Sequence, residues 1–163
     1  MVKTLIIMRH AKSAHGHALA DHERPLNERG VEQARLAGKL LAEYRIDFLL
    51  CSTAKRTRQT WDNAILGGAS AEVVEYSHAV YESWADELLA RIQCFDDEYA
   101  TAMVLGHQPT VSTLVCDVAK PSPLALSAGS HFLTSAFAVL TIEGRWEDIA
   151  WQTMDLVRFE LPR

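Results

Sequence analysis

The chain has 163 residues, about the size of one ordinary domain. Nearly half of them (48%) are apolar and 23% are charged, which excludes a disordered, collagen-like or coiled-coil chain and predicts a packed core. Sixteen basic against 21 acidic residues leave a net charge of −5, which argues against a nucleic-acid-coating surface but allows a few local cations to hold one small anion.

The predicted elements alternate along the chain. Residues 3–8 form an apolar β-run, followed by a polar loop to about Leu26 in which Arg24 is placed to pair with Asp21. Asn27 reads as the N-cap of a helix with apolar residues at Val31, Ala34, Ala37, Leu40, Leu41 and Tyr44. Asp47–Ser52 is a second β-run, Thr53 to about Leu66 a second helix, and Glu72–Tyr76 a short strand. Ser83, with Asp86 three residues on, resembles a capping box opening a helix to about Tyr99. Thr101–Leu105 is a buried strand, and Thr110–Val118 a helix after Pro109. Ala136–Ile142 and Asp148–Thr153, around Glu143-Gly144, read as a β-hairpin. Gly67-Gly68-Ala69-Ser70 and Lys120-Pro121-Ser122-Pro123 are loops within one domain spanning 1–163. The predicted class is α/β, a three-layer α/β/α sandwich whose sheet is mainly parallel with an antiparallel C-terminal addition.

No apolar run approaches membrane-spanning length, and Met1-Val2-Lys3-Thr4 leads straight to Arg9-His10 with no signal-peptide-like stretch. Three widely spaced cysteines (Cys51, Cys94, Cys116) form no disulfide framework, so the expected location is cytoplasmic, with no membrane partner. Trp61, Trp84, Trp146 and Trp151 read as packing residues, with Trp84 close enough to Glu82 to reach a pocket rim.

Ligands of an open α/β sheet sit beyond the carboxyl ends of its strands, so the polar residues that follow each apolar run are the candidate site. These are Arg9-His10 after the first, Ser52 and then Arg56 after the second, Tyr81-Glu82 after the third, and Gly106-His107 after the fourth. Arg56 also lies in the first turn of a helix, where the macrodipole disfavours a cation unless an anion binds there. A histidine beside arginines is held neutral, and a neutral imidazole can attack phosphorus. Guanidinium forks supply the charge neutralisation that phosphoryl transfer needs.

Leu5-Ile6-Ile7-Met8-Arg9-His10-Ala11-Lys12-Ser13 resembles the signature of the histidine phosphatase (phosphoglycerate mutase-like) superfamily, and within it the small SixA-like phosphohistidine phosphatases. Further matches are Asp21-His22-Glu23-Arg24-Pro25-Leu26-Asn27-Glu28-Arg29-Gly30, Ser52-Thr53-Ala54-Lys55-Arg56-Thr57-Arg58-Gln59-Thr60, Val80-Tyr81-Glu82-Ser83 and Leu105-Gly106-His107-Gln108-Pro109, in the family's order. The resemblance implies a phosphoglycerate mutase-like fold and a phosphatase with His10 as the phosphorylated nucleophile. It makes Arg9, Arg56 and His107 the holders of the phosphoryl oxygens, assisted by Ser13, and Glu82 the candidate proton donor. Ala11 and Thr53 depart from the family's usual glycine and proline at these positions. The implied substrate is phosphohistidine on a protein, placing the chain in signal transduction. The alternative is a small phosphate ester.

Other chemistries fit less well. A thiol phosphatase loop needs about five residues between its cysteine and arginine, whereas four separate Cys51 from Arg56 and six separate it from Arg58. His10, His15, His17 and His22 are dense, yet lack the paired spacing and acidic neighbours of a zinc site. Neither a metal nor an organic cofactor is expected. A non-catalytic phosphate-binding module would need the arginines but neither histidine.

Overall fold

The computed structural model describes residues 1–16 and 18–163. The strands are β1 (Val2–Arg9), β2 (Ile46–Ser52), β3 (Ala71–Ser77), β4 (Thr101–Gly106), β5 (Phe137–Glu143) and β6 (Asp155–Glu160). The helices are α1 (Glu28–Leu41), α2 (Lys55–Gly67), α3 (His78–Glu82), α4 (Ala85–Gln93), α5 (Thr110–Val118) and α6 (Pro123–Ser130), with short 3-10 turns at Asp21–Glu23 and Trp146–Asp148. They build one six-stranded sheet in the order β3-β2-β4-β1-β5-β6. β1, β2, β3 and β4 are mutually parallel, while β5 and β6 add antiparallel.

Alternation along each strand divides the core into two faces. Leu5, Ile7, Leu50, Val104, Ala138 and Leu140 point to one side, under α4, α5 and the buried Trp146. Ile6, Met8, Leu49, Cys51, Met103, Leu105 and Phe137 point to the other, under α1 and α2 with Trp61. Because both faces are covered, Leu5–Met8 and Ala102–Leu105 are continuous apolar runs with no solvent exposure. This is the expected three-layer α/β architecture. Among the described residues no helix is long and apolar enough to cross a membrane.

Several predicted elements are corrected. The second strand of the terminal hairpin is Asp155–Glu160 rather than Asp148–Thr153. After Gly144 (φ 135°), the chain first makes the Trp146–Asp148 turn, which drives Trp146 fully into the core, before it returns to β5. The helix predicted from Ser83 to about Tyr99 runs from Ala85 to Gln93. Its start is held by the Glu87 carboxylate accepting from the Trp84 N–H (3.1 Å), while the Ser83 hydroxyl donates back to Val80 O (3.4 Å). The helix after the second strand starts at Lys55, not Thr53, and α3 and α6 were not anticipated. Trp61 and Trp146 pack as expected, but Trp84 and Trp151 are exposed.

Candidate active site

In-register pairing brings the chemistry to one sheet edge. β1 and β4 run parallel with Arg9 opposite Gly106, so the residues that follow, His10 and His107, emerge side by side. Their rings lie 5.2 Å apart. His10 is fixed at both backbone ends: its N–H donates to Gly106 O (3.1 Å) and its carbonyl accepts from Ser135 N–H (3.0 Å). The next residues are pinned by buried polar side chains, with Ala11 N–H donating to Thr60 Oγ1 (3.0 Å) and Lys12 N–H to Gln33 Oε1 (3.1 Å). α1 closes on this loop through Gly30, where a Cβ would sit 2.0 Å from the Lys12 carbonyl oxygen. Asn27 caps that helix as predicted, accepting from Gly30 N–H (2.8 Å).

His10 Nδ1 lies 2.7 Å from Ala11 O. A carbonyl only accepts, so Nδ1 carries the proton and Nε2 keeps a free lone pair. Burial, and then the guanidiniums of Arg56, Arg9 and Arg24, push the His10 pKa down to about 4 against the opposing bond to Ala11. His107 is pushed down to about 3, first by burial and then by His10 and Arg56. Both imidazoles are neutral at pH 7. His107 Nε2 is bonded to Ser52 Oγ (2.7 Å), which also accepts the Ala54 N–H (3.2 Å).

A cavity of about 340 Å³ is lined by Arg9, His10, Lys12, Ser13, His15, Arg24, Arg56, His107, Gln108 and Thr134. It therefore gathers five of the six residues to which the family resemblance gives a role, His10, Arg9, Arg56, His107 and Ser13, leaving out Glu82. Among the described residues, the buried side-chain polar atoms without a partner are Arg9 Nε, Arg56 Nε and His107 Nδ1. All three belong to residues of this one cavity. Buried donors are ordinarily satisfied, so three orphans around one space point to an anion.

Glu82 lies apart. It is exposed, faces His78 (Oε1 to Nε2, 3.5 Å), and borders an adjoining cavity of about 180 Å³ shared with Tyr81, Trp84, His107 and Gln108. Ser13 Oγ accepts from Arg24 Nη1. The anion expected at Arg56 is internal: Arg56 Nη2 meets Asp21 Oδ2 (3.0 Å) and Nη1 donates to Asp21 O (2.8 Å). Asp21 also holds Arg24 Nη2 (3.0 Å, the pairing expected from sequence) and accepts from the Tyr81 hydroxyl (2.5 Å). These bonds hold its carboxyl far below the usual range, the Tyr81 bond contributing most. Sequence reasoning missed this hub, and it missed Lys12, Arg24 and Gln108 as lining residues. The only signals were Arg24, Lys12 and Gln108 lying within three residues of the motif histidines or Asp21.

Cys51 is fully buried at the end of β2 and burial pushes its thiol up, which leaves it without nucleophilic character. Among the described residues no group of three or more His, Cys, Asp or Glu is placed to hold a metal ion, and His17 lies outside them.

The histidine phosphatase superfamily (branch 1) model matches residues 5–82. An uncharacterized Mycobacterium tuberculosis protein, Rv1276c, is 38% identical over 162 residues, 96% of this chain and 100% of the relative. Among solved structures, a candidate phosphohistidine phosphatase SixA from Nakamurella multipartitia is 35% identical, with a TM-score of 0.85 over 99% of this chain and 97% of that one. The protein histidine phosphatase SixA complexed with tungstate shares the fold at a TM-score of 0.80 and 24% identity, over 98% and 97% of the two chains.

Proposed function

Because the chain belongs to the histidine phosphatase superfamily, we propose that residues 1–163 act as one phosphatase domain that forms a covalent phosphohistidine at His10 and takes phosphohistidine on a protein as substrate. The observation that carries the reading is the set of three orphaned buried nitrogens, on Arg9, Arg56 and His107, residues that line the same cavity as a neutral His10 with its Nε2 free. With the Ser52 hydroxyl donating to His107 Nε2, the His107 proton sits on Nδ1, so all three orphans are donors ready for phosphoryl oxygens.

The lone pair of His10 Nε2 forms a bond to phosphorus as the bond from phosphorus to the leaving nitrogen or oxygen breaks. The departing group leaves with that electron pair and takes a proton, for which Glu82, bordering the adjoining cavity, is the proposed donor. Water then attacks phosphorus and gives a proton to the Glu82 carboxylate, the bond to Nε2 breaks with its electron pair returning to nitrogen, and phosphate is released as neutral His10 and protonated Glu82 are restored. Arg9 and Arg56 neutralise charge on the equatorial oxygens, the neutral His107 donates a hydrogen bond to one of them, and Ser13 helps through Arg24. Apart from the long segment 10–27 between β1 and α1, the strand-to-helix connections are short, which supports a protein substrate. Only Thr53-Ala54 separate β2 from α2 and only His107–Pro109 separate β4 from α5, so neither supplies a cap to enclose a metabolite.

The test is brief exposure to a phosphohistidine-bearing protein, then denaturation and mapping of acid-labile phosphate. Label on His10 and loss of both label and turnover in His10→Ala are expected, while Cys51→Ser retains activity. Turnover surviving in His10→Ala would refute covalent catalysis, and a strong preference for a phosphoglycerate over the phosphoprotein would overturn the substrate.

A further inference from the structure

The cavity lining contains four cations, Arg9, Lys12, Arg24 and Arg56, and no carboxylate. Phosphate leaves such a site slowly, because every interaction that steadies the transition state in equal measure also steadies the bound product. Among the described residues, the one carboxylate in an ion pair with any of these cations is Asp21, set behind Arg24 and Arg56 rather than in the lining. Its two oxygens are divided between them: Oδ1 on Arg24 and Oδ2 on Arg56, with Oδ2 also accepting the Tyr81 hydroxyl.

We propose that Asp21 is a counter-charge that weakens the hold of the site on inorganic phosphate and so hastens product release. The inference rests on the phosphatase reading above. The geometry separates this role from mere scaffolding. Arg56 is also held through Nη1 by the Asp21 backbone carbonyl (2.8 Å) and lies over the Tyr81 ring (5.9 Å), and no side-chain substitution at position 21 removes either contact. Changing the carboxylate to an amide therefore takes away charge while leaving Arg56 largely in place. Seen from a singly charged phosphate at a separation of roughly 6 Å and an effective dielectric constant of about 40, one removed negative charge corresponds to about tenfold tighter binding, and to more for the dianion.

The experiment compares wild type, Asp21→Asn and Asp21→Glu by calorimetric titration with inorganic phosphate at low salt, beside steady-state kinetics on an aryl phosphate. Asp21→Asn is expected to bind phosphate about tenfold more tightly, with kcat falling as release slows, KM falling further and kcat/KM therefore rising, the difference shrinking as salt is raised. Asp21→Glu restores wild-type phosphate affinity. A purely structural Asp21 gives the opposite split: weaker phosphate binding and a raised KM in Asp21→Asn. That result, or affinity unchanged within twofold in a variant whose thermal unfolding stays cooperative, overturns the proposal. The phosphate titration does not depend on turnover, so it reads the counter-charge even if the covalent reading of His10 fails.

Discussion

Burying a neutral His10 couples the site to the stability of the whole fold. In the unfolded chain an ordinary histidine takes up a proton near pH 6.5, whereas in the folded protein burial and three guanidiniums delay this to about pH 4. Between those values the unfolded state binds more protons than the native state, so stability falls as pH falls from 6.5 to about 4 and the loss is complete below that. At about 1.4 kcal/mol per pKa unit, lowering this pKa from 6.5 to about 4 costs about 3 kcal/mol of stability at acid pH. Urea unfolding of wild type and His10→Gln at pH 7, 6, 5 and 4 reads the effect, together with the smaller change at His107, whose pKa His10 also lowers. The wild type is expected to lose about 3 kcal/mol more than the variant across this range, with the gap opening below pH 6.5. The same cause keeps the Nε2 lone pair free, so the acid limb of kcat/KM carries no step at 6.5 from His10. Parallel stability curves for the two proteins would refute the argument, since a histidine that charges equally in both states is not held neutral by its surroundings.

Ser52→Ala removes the hydroxyl that fixes the His107 tautomer through the 2.7 Å bond to Nε2. Turnover of an aryl phosphate is expected to fall by roughly tenfold, less than the 10²–10³ of losing an oxyanion donor outright, with melting temperature almost unchanged. Gly38→Ala perturbs the seam between α1 and α2, where a Cβ would lie 2.0 Å from the Ala64 carbonyl oxygen and backbone would have to move. Helix propensity gains about 1 kcal/mol, but forced separation costs up to about 3. Urea unfolding should therefore show net destabilisation of about 2 kcal/mol, and a stabilised variant would show that the helices separate freely.

The sheet was legible because β1, β2 and β4 are buried on both faces and so appear as uninterrupted apolar runs. α1 and α5 were legible because Asn27 and Pro109 mark their starts. α6 does carry a start signal, with Ser122 capping the Ala125 N–H and Pro123 at the first position, but Pro123–Ser130 has a single buried residue, Ala128, so there is no apolar stripe to extend it into a helix. β6 was displaced because the Glu143-Gly144 turn was credited with an immediate return, while the burial of Trp146 takes the chain on a detour of ten residues before Asp155. At the site, Arg9, His10 and His107 were readable because each sits at or directly beyond the end of a strand, and Arg56 because it opens the helix that follows. The Asp21 hub was not. Arg56 lies 35 positions from Asp21 and Tyr81 lies 60, and no local pattern encodes contacts at such separations.

The site divides its electrostatic labour between two kinds of cationic side chain. Histidine could in principle supply positive charge, but a protonated His10 has no lone pair, and a protonated His107 would repel the charges already around it. Burial removes both imidazoles from that duty, and arginine, which does not lose its proton at any relevant pH, takes it over. Pre-organisation lies in the fixed backbone around His10 and in the donors carried by the residues that line one cavity, which need little rearrangement when phosphorus is attacked. It also makes a counterweight necessary. A cage tuned to hold the transition state holds phosphate too, and among the described residues the carboxylate paired with Arg24 and Arg56 is the one that can restore the balance without lining the cavity.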